Sequence, residues 1–435
     1  MTSRFRRISL AAALAIALAG CHGGPAPSAS AAANDHDMAL YSRVLDRVRA
    51  SYVEPVGEDK LVASSLKGML TGLDPHSDYL SESEYQDLLD ESEGEFAGIG
   101  AEITHDELHP KVISPIDDTP AARAGLRPGD VILKIDGKLT DGMSLKEVVD
   151  RLRGPPGSPV KVTIIRPGEK PFDLSITRAV IHVASVNAKL EGDKIAYIRI
   201  SLFAEKTHQE LIRALGDLTL KSDGHLNGIV LDLRNDPGGL LDQAVRVAGD
   251  FLDGGVVVST RGRDPDDNRI FTADLDGDHA KGVPMVVLIN GASASASEIV
   301  AGALKERHRA EILGTRSFGK GSVQTIIPMD GKGAIRLTTA LYYTPSGHSI
   351  QGEGIEPDVL VLPPKDQRTG EGEIVHEADL TGAIDNPGGA PKAMPAEPEA
   401  NIDPLLIGTP KDYQLTVALD RLKTVQRRTA DSGKR

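Results

Sequence analysis

The stretch Pro284-Met-Val-Val-Leu-Ile-Asn-Gly-Ala-Ser-Ala-Ser-Ala-Ser-Glu298 decides the reading of this chain. Its first part, Pro284 to Ile289, is an unbroken apolar run, the pattern of a strand buried on both faces. Ser297 to Lys305 reads as a helix, and Ser295-x-x-Glu298 has the form of a capping box at its start. Taken alone, the turn between them is structural. It also sets a hydroxyl beside the first N–H groups of a helix, where backbone donors point outward and can hold an oxyanion.

The same alternation extends in both directions. Strands are predicted at Ile195 to Ile200 and Gly228 to Leu233, with helices at Thr207 to Leu218 and Leu240 to Phe251. Further strands fall near Glu311 and Val323. Such βα units argue for an α/β core around a mostly parallel sheet, spanning residues 181–362. Upstream, at 94–180, short apolar runs such as Val160-Lys-Val-Thr-Ile-Ile-Arg166 are bounded by Gly and Pro, which predicts a separate β-rich domain. Residues 35–93 carry Leu40, Val44, Leu45 and Val48, then Leu61, Val62, Leu66, Met69 and Leu70, at helical spacing. The stretch Gly72-Leu-Asp-Pro-His-Ser-Asp-Tyr-Leu80 punctuates that helical segment. Residues 363–400, rich in Pro, Ala, Gly and acid, read as a disordered linker. The tail 401–435 has room for one basic amphipathic helix near Tyr413 to Val425.

Composition narrows the function. The net charge of -14, an aromatic content of 3% and the absence of Trp all oppose nucleic-acid binding. Arg4, Arg6 and Arg7 precede an apolar run from Ile8 to Ala19, too short to span a bilayer stably, so residues 1–20 read as a secretory signal. Its end, Leu18-Ala-Gly-Cys21, resembles a bacterial lipoprotein signal in which Cys21 is lipidated. Residues 21–34 then form a flexible tether. His22 rather than Asp follows the cysteine, so the expected location is periplasmic, anchored to the outer membrane. With Cys21 the single cysteine, no disulfide or thiol catalysis is available.

A serine nucleophile needs a base, and a lysine serves if burial brings its pKa down with no carboxylate to hold the ammonium. Phe318-Gly-Lys-Gly-Ser-Val-Gln324 offers Lys320, and no Asp or Glu occurs from Arg316 to Pro328. Gln324, four positions on, would share a strand face with Lys320 and hold its amine with a neutral amide. Arg234-Asn-Asp-Pro-Gly-Gly239 closes another apolar strand; its two glycines allow close backbone approach and offer N–H donors.

Together these stretches resemble the carboxyl-terminal processing peptidases, or tail-specific proteases, across nearly all of residues 35 to 362. The resemblance is carried by Phe96-Ala-Gly-Ile-Gly100, the run from Ser114 to Asp130, Asp232 to Gly239, Ser293 to Glu298, Phe318 to Gln324, and Thr344 to Asp358. It implies a crotonase- or Clp-like peptidase core with an inserted PDZ domain at 94–180. It also implies that Ser295 is the nucleophile, Lys320 the general base and Gln324 its orienting partner. The oxyanion donors would be the backbone of Ala296 and of Gly238 or Gly239. The loop Gly98-Ile99-Gly100 would capture a substrate's terminal carboxylate. Protein substrates with apolar C-termini are the implied partners, with an adaptor protein as a further one. Asp236 departs from the family pattern, in which Asn commonly stands there.

Three other readings compete. A catalytically silent PDZ scaffold is opposed by the retention of Ser295, Lys320 and Gln324. Gly314-Thr-Arg-Ser-Phe-Gly-Lys320 matches most of a phosphate loop but has Gly321 where the magnesium-ligating Ser or Thr belongs. No His-Glu-x-x-His pair occurs, and Asp274-Leu-Asp-Gly-Asp278 is a poor calcium loop, so no metal or other cofactor is expected.

Overall fold

Strands that are apolar on every residue must be covered on both faces, and the computed structural model of the chain supplies both covers. It describes residues 29–106, 109–116, 118–275, 277–368, 374–389 and 400–432. The signal segment 1–20 and Cys21 lie outside these. The chain forms two units, Met1–Ser65 and Leu66–Arg435.

In the first unit a helix spans Ala29–Ser51, and a second, Glu58–Thr71, begins. Arg49 pairs with Glu58 at 2.7 Å. Residues 29–34, expected to be flexible tether, are helical, in keeping with the high helix propensity of their alanines.

The second unit holds the β-rich module. Its strands Ala101–Asp106, His109–Pro115, Val131–Ile135, Pro159–Ile165 and Phe172–Thr177 form one antiparallel sheet. Helix Leu145–Leu152 opens on a Ser144/Glu147 capping box. Ile99, Val112, Ile132, Val148, Val160 and Ile164 fill a core that belongs to this module alone. Its two ends meet, because Glu95–Gly98 pairs antiparallel with Ala179–His182.

The α/β core follows: β1 (Val186–Glu191), β2 (Ile195–Ile200), α1 (Thr207–Lys221), β3 (Gly228–Asp232), α2 (Leu241–Gly249), β4 (Met285–Ile289), α3 (Ala296–Glu306), β5 (Glu311–Gly314), β6 (Val359–Leu360) and α4 (Tyr413–Ser432). The sheet runs in sequence order from β1 to β6, antiparallel at its first pair and parallel thereafter. Side chains alternate faces along each strand. Ile229 and Leu231 of β3 join Leu211 of α1, Val247 of α2 and Val300 of α3 on one side. Val230 meets Leu415, Ala418 and Leu422 of α4 on the other. This helix of the 401–435 tail thus supplies the second cover. A smaller sheet of Asp78–Leu80, Gly255–Gly262, Arg269–Ala273, Ser322–Pro328 and Ala334–Tyr343 packs beside it.

Within 363–400, expected to be a disordered linker, residues 374–389 are placed by specific contacts. His376 and Glu377 are buried. Asn386 donates to the carbonyls of Ser349 and Gln351, at 3.3 and 2.8 Å. Specific polar contacts order a segment whose composition supplies little apolar driving force.

Candidate active site

Parallel β3 and β4 end side by side, so the turns that leave them are neighbours. After β4 the chain must reverse into α3, and Ser295 takes the bend at φ 54°, ψ −111°. A positive φ at a non-glycine residue stores about 1–3 kcal/mol and persists where its surroundings hold it. Here the hold is visible: the Ser295 N–H donates to a Glu298 carboxylate oxygen at 2.7 Å. The flanking hydroxyls are engaged, Ser293 on the Leu233 carbonyl at 2.7 Å and Ser297 on the Asp236 carbonyl at 3.0 Å. The Ser295 hydroxyl donates to none of the described carbonyls.

The turn after β3 presses directly against this bend. A Cβ on Gly238 would fall 2.8 Å from the Ala296 nitrogen and 2.9 Å from the Ser295 Cβ. Gly239 sits at φ 140°, where a Cβ would meet the Phe203 carbonyl oxygen at 2.4 Å. Both positions require glycine. The Gly238 N–H donates to Asp236 Oδ1 at 2.9 Å, which leaves Gly239 as the better placed of the two expected oxyanion donors. Asp236 is fully buried, and its Oδ2 has no partner among the described residues. Burial pushes its carboxyl up to about 8, against the opposing effect of the Gly238 N–H.

Glu298 is more than a cap. Its carboxylate also accepts from Ser317 Oγ at 2.5 Å, the Gly319 N–H at 2.7 Å and the Lys320 N–H at 3.0 Å. One buried side chain therefore ties the serine bend to the lysine loop. Burial raises it to about 7, although every one of these donors favours the charged form.

Burial likewise pushes the Lys320 ammonium below its ordinary range. The absence of acids from its own segment did not keep carboxylates away: Glu377, Glu298 and Asp74 act on it from distant elements, and Arg336 opposes them. No hydrogen bond joins Lys320 to Ser295 or to Gln324 among the described residues. Gln324 instead donates to Ser322 Oγ at 3.0 Å and Thr338 Oγ1 at 3.3 Å. Lys320 precedes the strand on which Gln324 lies, and the register shifts between Val323 and Gln324, so the expected common face is lost.

Asp74, His76, Gln351 and Glu377 escaped the sequence reading. Thr338 Oγ1, which receives Gln324, itself donates to Asp74 Oδ1 at 3.0 Å. The hints were the polar Asp-Pro-His-Ser punctuation for Asp74 and His76 and, for Gln351, its place in the Thr344 to Asp358 stretch; Glu377 had none. Of the expected carboxylate loop, Ile99 is buried in the β-rich core, and the Ile99 and Gly100 carbonyls accept from Ala121 and Ile116. Gly100, at φ 78°, faces Thr119 with no room for a Cβ.

A βα core with a serine at a strained strand-to-helix bend, a buried lysine loop against it and a separate β-rich module define a hydrolase with a peptide-binding attachment. The comparisons give the family. Peptidase family S41 matches residues 194–361, and the PDZ domain family matches residues 111–166. A carboxy-terminal-processing protease of Bartonella bacilliformis is 49% identical over 374 residues, 84% of this chain and 86% of that protein. A Staphylococcus aureus protein described as a "Probable CtpA-like serine protease" is 40% identical over 74% of this chain, which spans only 64% of that longer protein. Among solved structures, a photosystem II D1 C-terminal processing protease is 31% identical, covering 75% of this chain and 93% of its own, with a TM-score of 0.45. The chain belongs to peptidase family S41, as a serine-type carboxy-terminal-processing protease that carries a PDZ domain.

Proposed function

We propose that the chain is an endopeptidase that takes proteins by their C-terminal tails and cleaves them through an acyl-enzyme on Ser295. Ser295 Oγ attacks the scissile carbonyl, and Lys320 Nζ removes its proton and delivers it to the leaving amine. The N–H groups of Ala296 and Gly239 hold the oxyanion, and water then releases the acyl group. Gln324 steadies the lysine side of the site once substrate is bound. General-base contacts tighten in the substrate complex, so the reading requires Nζ to close on Oγ only there. The observation that carries it is the engagement of Ser293 and Ser297 on carbonyls, which leaves Ser295 at the strained bend against Gly238.

The PDZ domain, through Gly98-Ile99-Gly100, accepts the apolar tail as an added strand. A cavity of about 520 Å³ supports delivery: Phe96, Ala97 and Arg153 line it from the PDZ side, and Ser201, Leu202 and Ala204 from the core, next to the glycine turn. The lipid anchor at Cys21 and a periplasmic face of the outer membrane complete the proposal.

The test is cleavage of one unstructured protein bearing either an apolar free C-terminus or a charged, amidated one. Cleavage of the apolar version alone, abolished by Ser295→Ala, is expected. Lys320→Arg should fall by at least about a hundredfold, since guanidinium keeps its proton and general-base catalysis is lost. Equal cleavage of both tails would remove tail recognition, and a wild-type rate in Lys320→Arg would remove the dyad.

A further inference from the structure

Past the S41 match, residues 374–389 return to the lysine loop. Glu377 is the point of attachment. Its N–H donates to the Phe318 carbonyl at 3.0 Å, two residues before Lys320. Its carboxylate accepts from Gln351 Nε2 at 3.0 Å, while Gln351 Oε1 accepts the Gly321 N–H at 2.9 Å, one residue after Lys320. The lysine is thus bracketed by contacts that converge on one residue, through its main-chain N–H on one side and through its carboxylate, by way of Gln351, on the other. His76 Nε2 braces that carboxyl at 2.8 and 3.0 Å from its two oxygens. The same segment reaches the serine bend, because a Cβ on Gly291 would meet Ile374 Cγ2 at 2.7 Å.

A carboxylate that is 1% exposed interacts strongly with any charge nearby, since little water screens it. The charged groups facing Lys320 come from four elements: Glu377 on this strap, Arg336 on the Ala334–Tyr343 strand, Glu298 on α3 and Asp74 before the Asp78–Leu80 strand. Glu377 is the strongest of them. Glu298 holds the lysine loop at Ser317, Gly319 and Lys320, whereas Glu377 reaches it on both sides of Lys320 and has His76 as its own partner.

We propose that Glu377 is a positioning residue of the active site, whose main-chain N–H and buried carboxylate fix the lysine loop and put a negative charge among the groups that face Lys320. The strap is then part of the catalytic apparatus although it lies beyond the family core. This inference rests on Lys320 being the base, and its test separates the two.

The pH dependence of kcat/KM is measured for the full chain on the apolar-tailed substrate, with melting curves as a check on folding. Glu377→Gln keeps the hydrogen-bonding shape and removes the charge. Its rising limb should move to lower pH by about one unit, the size of effect a neighbouring charge exerts. Glu377→Asp keeps the charge and shortens the reach, so it should lower kcat and leave the limb in place. Arg336→Gln leaves every contact of Glu377 itself in place, though it gives up the Arg336 Nε bond to the His76 carbonyl at 3.1 Å, and should move the limb the other way, which keeps the idea open to refutation if the Gln variant fails to fold. A limb unmoved in Glu377→Gln, moved equally in Glu377→Asp, or unmoved in Arg336→Gln would overturn the proposal. Lys320→Ala tests the base separately: substantial activity there refutes the dyad, whatever Glu377 does.

Discussion

At residue 236 a carboxyl group is buried with one oxygen accepting from Gly238 and the other without a hydrogen-bond partner among the described residues. Ionising it would bury a charge beside the oxyanion turn, and burial outweighs the Gly238 N–H, Ser297 and Arg199 to lift its pKa to about 8. The protonated form presents one donor and one acceptor, as an asparagine amide does, which accounts for Asp at a position where the family resemblance leads one to expect Asn. The linkage has a definite sign. The folded group holds its proton between its ordinary value of 3.8 and about 8, where the unfolded group has released it. Stability from this group is therefore full at low pH and lost as pH rises through that window. Asp236→Asn removes the titration, so its stability advantage should grow from about pH 5 to about pH 8, reaching about 2–5 kcal/mol. Melting curves at the two pH values decide it; an advantage that does not grow with pH would sink the assignment. In activity, the variant should lose any alkaline decline near pH 8 that the wild type displays.

At the scale of elements, α4 is fastened to the catalytic sheet by one ion cluster. Arg234 leaves β3 with no solvent exposure and pairs with Asp232 at 2.5 Å and with Asp412, ahead of α4, at 2.6 Å. Gln414 accepts from Arg234, the Tyr197 hydroxyl donates to Asp232, and Arg199 stands 3.9 Å from the same carboxylate. Burial would lift the Asp232 carboxyl, yet Arg234 holds it below its usual range. Breaking such a cluster from one side strands a buried charge. Asp412→Ala should therefore cost about 3–5 kcal/mol, read as a lower Tm, with α4 exchanging amide protons early. A loss under about 1 kcal/mol would mean that water repairs the gap. The strands themselves were legible in the sequence, since runs such as Gly228–Asp232 and Met285–Ile289 are buried at every residue and apolar nearly throughout. The helix at Tyr413 was legible as amphipathic, but not its docking, which depends on Arg234, 178 residues earlier. Ser295 and Lys320 stood out because glycines and a strand end frame them. The acids around Lys320 did not, since they arrive from other parts of the chain. His76 and Glu377 are 301 residues apart, and no local pattern links them. The strap was misread for a related reason: its order comes from a few long-range bonds, whereas composition reports only the apolar driving force.

For the whole molecule, the PDZ module is an insertion whose removal is geometrically allowed. Its apolar core, Ile99 to Ile176, is separate from that of the peptidase sheet. The chain enters and leaves at one place, with the Val183 N–H donating to the Gly94 carbonyl at 3.0 Å. A short Gly-Ser link from Gly94 to Val183, replacing residues 95–182, therefore closes a gap of a single hydrogen-bonded pair and adds little loop entropy. The cost falls on the cavity between module and core, whose Leu202 and Ala204 wall becomes exposed. If the module serves to select tails and the core to cut, the shortened chain should melt cooperatively and label with a fluorophosphonate at Ser295. It should also cleave apolar-tailed and charged-tailed substrates at equal, reduced rates. A surviving tail preference would place recognition in the core. Loss of cooperative melting would show that the PDZ module is part of the peptidase fold rather than a guest within it.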